Sequence, residues 1–102
     1  MSLGKEMTRG LALEAELNKE KAGALGRTGR ILAAHLATCR ELAQQLAGAT
    51  GEARRRLLAE YAESRRQAEQ YRWYLYVQRE AIGLRRHDDV DATFPIPPII
   101  KE

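Results

Sequence analysis

Two rows of apolar and small side chains, each repeating in alternating steps of four and three, constrain the fold of this 102-residue chain more than any other feature. The first row consists of Leu25, Gly29, Leu32, Leu36, Cys39, Ala43 and Leu46. The second consists of Leu57, Tyr61, Ser64, Ala68, Tyr71, Leu75, Gln78 and Ile82. This spacing puts all members of a row on one face of an α-helix. The sequence therefore predicts an all-α fold built on two long amphipathic helices.

A segment rich in glycine and small residues separates the two rows and predicts a tight turn at residues 48–51. We expect Gly48 to end the first helix in the left-handed conformation, and Thr50 to cap the second helix. Because a connection this short favours antiparallel neighbours, the expected unit is a helical hairpin. Its helices should span about 5–47 and 52–86, inside one domain that covers residues 1–102.

Three glycines, Gly23, Gly26 and Gly29, interrupt the first helical segment with a period of three. Either the helix continues through them and a partner packs closely on its backbone, or it breaks there into two helices. Each interior glycine costs about 1 kcal/mol relative to alanine. Strong helix formers flank the segment and no proline lies in it, so the pattern favours a continuous helix.

The C-terminal segment contains Pro95, Pro97 and Pro98, which predict an extended tail over residues 87–102. Phe94 and Ile96 make this tail too apolar to be free in water. We expect both side chains to dock against the face of the second helix that carries Trp73.

The end of the second helix is apolar or aromatic on every side, and we expect it to be buried all round. The residues concerned are Trp73, Tyr74, Leu75, Tyr76 and Val77. Their cover would be the tail, the N-terminal segment or another subunit. Because two helices alone make a poor core, pairing of two hairpins into a four-helix bundle is expected, which makes the protein a homodimer. The alternative is a three-helix monomer broken at the glycine segment.

The balance of charged residues is mildly basic, with a net charge of +3 and 13 arginines against 4 lysines. Nine of these arginines fall within residues 54–86, so a basic surface is expected there and not over the whole molecule. The one cysteine excludes an internal disulfide, and no apolar run is long enough to span a membrane. We therefore expect a cytoplasmic protein without membrane contact.

Arginines on the second helix are the best candidates for a binding surface for nucleic acid or for another protein. The set is Arg65, Arg66, Arg72, Arg79, Arg85 and Arg86. Arginine binds phosphates bidentately and stacks on bases, and Tyr74 and Tyr76 lie between members of the set. The same arginines are also placed to pair with acids of their own helix or of a partner helix. Trp73, Tyr74, Tyr76 and Val77 are the candidate contacts for a dimer or another protein partner.

No group of residues in the sequence forms a recognisable catalytic, metal or cofactor motif. His35 and Cys39 share a helix face, but a metal site needs more ligands, and Cys39 lies in the apolar row. The run His87, Asp88, Asp89 and Asp91 lacks the pattern of a calcium loop and is expected to be solvated turn chemistry. The glycines of residues 23–30 do not form a phosphate-binding loop, because no strand precedes them and the lysine is missing.

Two segments, Glu20-Lys-Ala-Gly-Ala-Leu-Gly-Arg27 and Val77-Gln-Arg-Glu-Ala-Ile-Gly-Leu-Arg85, followed by a proline-bearing tail, resemble a family of short, all-helical bacterial proteins of unknown function. The resemblance covers most of the chain and implies a bacterial, cytoplasmic origin. It implies no activity and no site residue.

The sequence as a whole predicts a non-enzymatic helical interaction protein that acts as a homodimer and uses no cofactor. The alternative is a regulator that binds nucleic acid through the arginine-rich face of the second helix. An enzyme is the least favoured class, since two histidines, one cysteine and no pair of carboxylates leave few groups for catalysis.

Overall fold

The fold is known from a computed structural model, which describes residues 3–102. It contains three helices, α1 (Leu3–Leu46), α2 (Gly51–Glu80) and α3 (Asp88–Thr93), and no strand occurs in that range. The two long helices pack against each other. Side chains near the turn contact one another, and so do those far from it, so α1 and α2 run antiparallel. The prediction of an all-α chain with two long paired helices is confirmed.

The core lies between α1 and α2 in two clusters, which contain most members of the two predicted rows. The cluster nearer the turn consists of Cys39, Leu42, Leu46 and Tyr61, with Leu57, Leu58 and Ala43 at its edge. The other consists of Leu32, Leu36, Ala68, Leu75 and Val90, with Leu25, Tyr71 and Tyr76 packed against it. Leu32 and Cys39 are fully buried. The spacing of four and three therefore identifies the contact face of both helices.

Helix α1 continues without a break through all three glycines, as favoured from the sequence. The alternative in which the chain breaks at these glycines, so that the N-terminal helix folds back on the hairpin, is therefore wrong. Only Gly29 faces another part of the chain, since a Cβ built there would lie 4.0 Å from Cζ of Phe94. At Gly23 and Gly26 the nearest atoms belong to flexible arginine side chains of α1 itself.

The turn between α1 and α2 differs in detail from the expected one. Gly48 does not adopt a left-handed conformation; Gly51 does, with φ of +58°. The end of α1 is instead satisfied by two tight backbone bonds, Gly48 N–H to Gln45 O and Ala49 N–H to Leu46 O, and by Arg54 Nη1, which donates to Leu46 O at 2.9 Å. Thr50 occupies the N-cap position of α2, but its side chain makes no capping hydrogen bond.

Helix α2 ends at Glu80, earlier than the expected boundary near residue 86. The cause is Gly83, whose φ of +90° lies in the left-handed region. Gly83 N–H donates to Glu80 O and Leu84 N–H donates to Arg79 O, which is the Schellman arrangement that closes a helix.

The expectation that residues 87–102 are extended throughout is wrong at the start, where α3 forms. Asp88, Asp89 and Asp91 stand in its first turn, where carboxylates interact favourably with the helix dipole. Val90 anchors this short helix in the core. The extended part begins after Thr93, where the prolines follow.

Replacement of Gly83 by alanine should destabilise the protein by about 1 kcal/mol, because an L-residue is strained in the left-handed region. Gly26→Ala is the matched control, and its expected change in stability has the opposite sign. It lies inside α1 and meets only the Arg30 side chain, at 3.3 Å, so it should stabilise the helix by up to about 1 kcal/mol. Urea unfolding followed by circular dichroism measures both changes, and equal effects of the two variants would refute this account of the α2 terminus.

The extended tail docks along the groove between α1 and α2, in contact with both core clusters. Phe94 and Ile96 pack against the cluster around Leu32 and Leu75, and Ile100 packs against the cluster around Tyr61. The prediction that Phe94 and Ile96 dock on the hairpin is confirmed. The prediction that they cover the face carrying Trp73 is wrong. Trp73 remains 59% exposed, because the tail runs beside it and not over it.

The first half of α1 extends beyond the hairpin. Every side chain from residue 4 to residue 23 is exposed, and the molecule measures 77 × 21 × 14 Å. We call residues 4–22 the α1 arm. Its large apolar side chains are Met7, Leu11, Leu13 and Leu17, which are 54–65% exposed. The arm has no partner among the described residues.

Candidate interaction surfaces

Three arginines at seven-residue intervals on α2 hold the C-terminal segment by its backbone. Arg65 Nε donates to Pro97 O at 2.7 Å, Arg72 Nη1 donates to Phe94 O at 3.4 Å, and Arg79 Nη2 donates to Arg86 O at 3.1 Å. Their side chains are only 18–26% exposed. These residues therefore face the tail and its connection to α2.

Acidic side chains pair with most of the arginines that the sequence marks as a binding surface. The ion pairs are Arg65 with Glu69, Arg66 with Glu63, Arg79 with Asp89 and Arg86 with Asp88, and Arg72 lies 3.8 Å from Asp91. Hydrogen bonds from Arg66 and Gln67 lower the pKa of Glu63 to about 2. Arg85 is exposed and has no ion-pair partner within residues 3–102. The six arginines thus do not form one continuous, unneutralised stripe.

Two tyrosines of α2 add polar contacts to the docked C-terminal segment. The Tyr61 hydroxyl donates to Pro98 O at 2.6 Å, and the Tyr76 hydroxyl donates to the Asp91 carboxylate. Burial raises the pKa of both tyrosines, and the hydrogen bond to Asp91 adds to the shift at Tyr76. Both hydroxyls therefore keep their protons at neutral pH and act as donors.

Trp73, Tyr74 and Val77 form an exposed apolar patch on the last turns of α2; we call it the α2 patch. Trp73 is 59% exposed, and the other two are each 45% exposed. The expectation that this helix end is buried all round is therefore wrong within one chain. Tyr76, grouped with these residues from the sequence, lies elsewhere, because it packs against the core and stacks on His87 at 4.3 Å.

His35 and Cys39 are separated in environment although they share a helix face. Cys39 is fully buried beside Leu42 and Tyr61, and this burial raises the pKa of its thiol. His35 instead lies against the Tyr71 ring, with centroids 5.5 Å apart. Cys39 acts as a small apolar core residue, as the sequence indicates.

The acidic run after α2 serves the packing of α3. The Asp89 carboxylate accepts a hydrogen bond from Arg79, and the Asp91 carboxylate accepts one from Tyr76. His87 Nε2 lies 3.2 Å from Glu80 Oε1. Within residues 3–102 no three histidine, cysteine or acidic side chains are grouped so that they could hold a metal ion. In the same range, no helix combines the length and apolar character needed to cross a membrane.

Sequence patterns reveal part of these surfaces and miss the rest. The seven-residue spacing of Arg65, Arg72 and Arg79 indicates that the three side chains share one side of α2. It does not indicate that their acceptors are main-chain carbonyls, because every residue carries one. Tyr61 is marked only as a core residue, although its hydroxyl is also a tail contact. Comparison with protein-family models, curated proteins and solved structures finds no match, so the resemblance to a bacterial helical family stays a prediction.

Proposed function

We propose that this chain is a non-enzymatic interaction protein of the cytoplasm that acts as a homodimer, with two hairpins joined through their α2 patches into a four-helix bundle. The observation that carries the proposal is the α2 patch itself. Trp73, Tyr74 and Val77 stand together on a well-formed helix, more than two-fifths exposed, and neither the tail nor α1 covers them. Tryptophan and tyrosine are the residue types that contribute most to binding energy at interfaces.

The surroundings of the α2 patch support association by burial of apolar surface. Ile82 and Leu84, which follow α2 directly in the chain, are also exposed, at 36% and 44%. Large apolar side chains left exposed together mark an interaction surface in a protein in water. A two-fold arrangement would place the α2 patch of one subunit against the same patch of its partner, so that each side chain contributes to the interface twice.

The α1 arm gives a second reason to expect another chain. In proteins most helical stability comes from packing of an apolar face and not from the helix propensity of the residues. The arm carries four large apolar side chains and receives no such packing from its own chain. Association of two copies would supply a surface for it.

Pairing of the arginines weighs against the nucleic-acid alternative. Arg65, Arg72 and Arg79 are engaged by the tail, and acids beside them cancel most of the local charge. Phosphate binding requires guanidinium groups that face solvent. Of the six candidates, Arg66, Arg85 and Arg86 are exposed, and two of these three form ion pairs.

The double variant Trp73→Ala/Val77→Ala should weaken the homodimer by about 100-fold or more, because each copy loses two apolar contacts and 1.4 kcal/mol corresponds to a factor of ten. Sedimentation equilibrium over a range of protein concentrations measures the dissociation constant. Ile99→Ala is the matched control, since Ile99 is 66% exposed on the tail and outside the patch. A wild-type chain that is monomeric at about 100 μM, well above the affinity expected of a stable dimer, would refute the proposal, as would a dimer unaffected by the double variant.

A further inference from the structure

We propose that the groove between α1 and α2 is a binding site for an extended, proline-rich apolar peptide of another protein, and that the chain's own C-terminal tail occupies it as an intramolecular competitor. This site is distinct from the α2 patch, and the inference does not depend on dimerisation. The tail shows which ligand chemistry the groove accepts.

The polar part of the groove recognises main-chain carbonyls and no side chain of the tail. Tyr61 Oη, Arg65 Nε and Arg72 Nη1 donate to the carbonyls of Pro98, Pro97 and Phe94. All three donors stand on one side of α2, four and seven residues apart. Because every peptide carries carbonyls, this set of donors would serve any chain that lies along the groove in the same direction.

Proline in the ligand suits a groove that offers only donors. A proline has no N–H, so among residues 95–98 only Ile96 carries a main-chain donor. The extended conformation that proline favours is also largely formed before binding, which lowers the entropy lost on docking. Domains that recognise proline-rich segments elsewhere likewise exploit this preformed conformation, in grooves lined by aromatic side chains.

Apolar contacts set which residues of the ligand matter. Phe94 and Ile96 enter the cluster formed around Leu32 and Leu75, while Ile100 enters the cluster at the turn end of the hairpin. Ile99 points away and is 66% exposed. The preferred ligand therefore carries large apolar side chains at the positions of Phe94, Ile96 and Ile100, and tolerates others at the position of Ile99.

The connection between α2 and the tail sets the strength of the competition. A short linker gives the tail an effective concentration in the millimolar range, so a free peptide competes poorly with it. Substitutions in the tail that weaken its contacts with the groove, and leave the groove itself unchanged, should therefore raise the affinity for an added peptide.

The test uses a fluorescein-labelled synthetic peptide with the sequence of residues 93–102, titrated into the full-length chain and followed by fluorescence anisotropy. The variant Phe94→Ala/Ile96→Ala releases the tail and should bind the peptide at least ~10-fold more tightly than wild type, because the competitor is removed. In this released background, Arg65→Ala should reduce peptide binding by about 10-fold, the loss of one charge-assisted hydrogen bond. Arg66→Ala is the matched control, since Arg66 faces outward and binds Glu63, and it should leave peptide binding unchanged.

The outcomes separate the proposed occupant from the others. Binding of a second peptide, with leucine at the three inward positions and the prolines kept, supports a site for partner peptides. Binding restricted to the chain's own sequence would instead make the tail of a second copy the occupant and would overturn the proposal. So would absence of binding to a released variant that keeps its helical circular dichroism. If that variant loses its helical signal, isotope-labelled wild-type protein decides by NMR: about 1 mM unlabelled peptide, comparable to the effective concentration of the tail, should displace the tail and move the Phe94 ring resonances toward those of a free chain, and unmoved resonances would refute the site.

Discussion

Replacing Leu32 with alanine is expected to lower the free energy of unfolding by about 2–5 kcal/mol, the range typical of a fully buried leucine. Leu32 has no exposed surface and lies in the cluster where α1, α2 and α3 meet. The loss combines removal of apolar contacts with the cost of the cavity left behind, because the surrounding structure relaxes only partially. Since a small domain has only about 5–15 kcal/mol to lose, the midpoint of thermal unfolding should fall by about 10 °C or more.

Leu17→Ala provides the control for this prediction on the same helix. Leu17 lies in the α1 arm, is 54% exposed and touches no other element of its chain. The same chemical change should alter the free energy of unfolding by less than about 0.5 kcal/mol, when measured at a concentration where the chain is monomeric. Urea unfolding followed by circular dichroism compares the two, and equal losses would contradict the described core.

Replacing Phe94 with alanine should destabilise the fold by about 1–3 kcal/mol, although Phe94 lies in the C-terminal tail. Its ring contacts the core cluster and approaches Gly29, where α1 has no side chain of its own. Loss of the ring should also loosen α3, because the ring anchors in the core the residue whose N–H closes that helix on Val90 O. Urea unfolding measures the first effect, and hydrogen exchange of the α3 amides measures the second.

Ile99→Ala is the matched substitution for Phe94→Ala within the tail. Its side chain is 66% exposed, so its removal should change stability by less than about 0.5 kcal/mol. A Phe94 variant as stable as the Ile99 variant, with slow exchange in α3, would show that the tail does not hold the hairpin together.

The parts of the fold that could be predicted from the sequence are those governed by short-range geometry. The steps of four and three locate the core face, because helix period alone fixes which side chains point the same way. Local preference likewise favours a continuous α1 through the three glycines, because strong helix formers flank them and no proline lies among them. The turn at residues 48–51 also follows from local residue preferences, although Gly51 and not Gly48 takes the left-handed conformation.

The parts that escaped prediction depend on contacts between distant segments. Helix α3 has six residues, too few to be stable alone, and it forms because Val90 is buried and Asp89 meets Arg79. The path of the tail is set by donors on α2 that bind carbonyls, for which residue type carries no signal. For the same reason, the sequence does not predict that Trp73 is exposed. The tail, expected to cover Trp73, lies instead along the side of α2 that carries Arg65 and Arg72.

The α1 arm separates two kinds of selection that usually act on the same residues. Changes at Leu32 or Tyr61 destabilise the fold itself, because both side chains are buried. Selection for a stable fold therefore conserves those positions whatever role the protein has. Changes at Leu11, Leu13 or Leu17 leave the hairpin intact, because no contact within the chain depends on them. Related sequences that retain large apolar residues in the arm would therefore record a binding requirement, and sequences in which the arm drifts toward polar residues would show that nothing outside the chain depends on it.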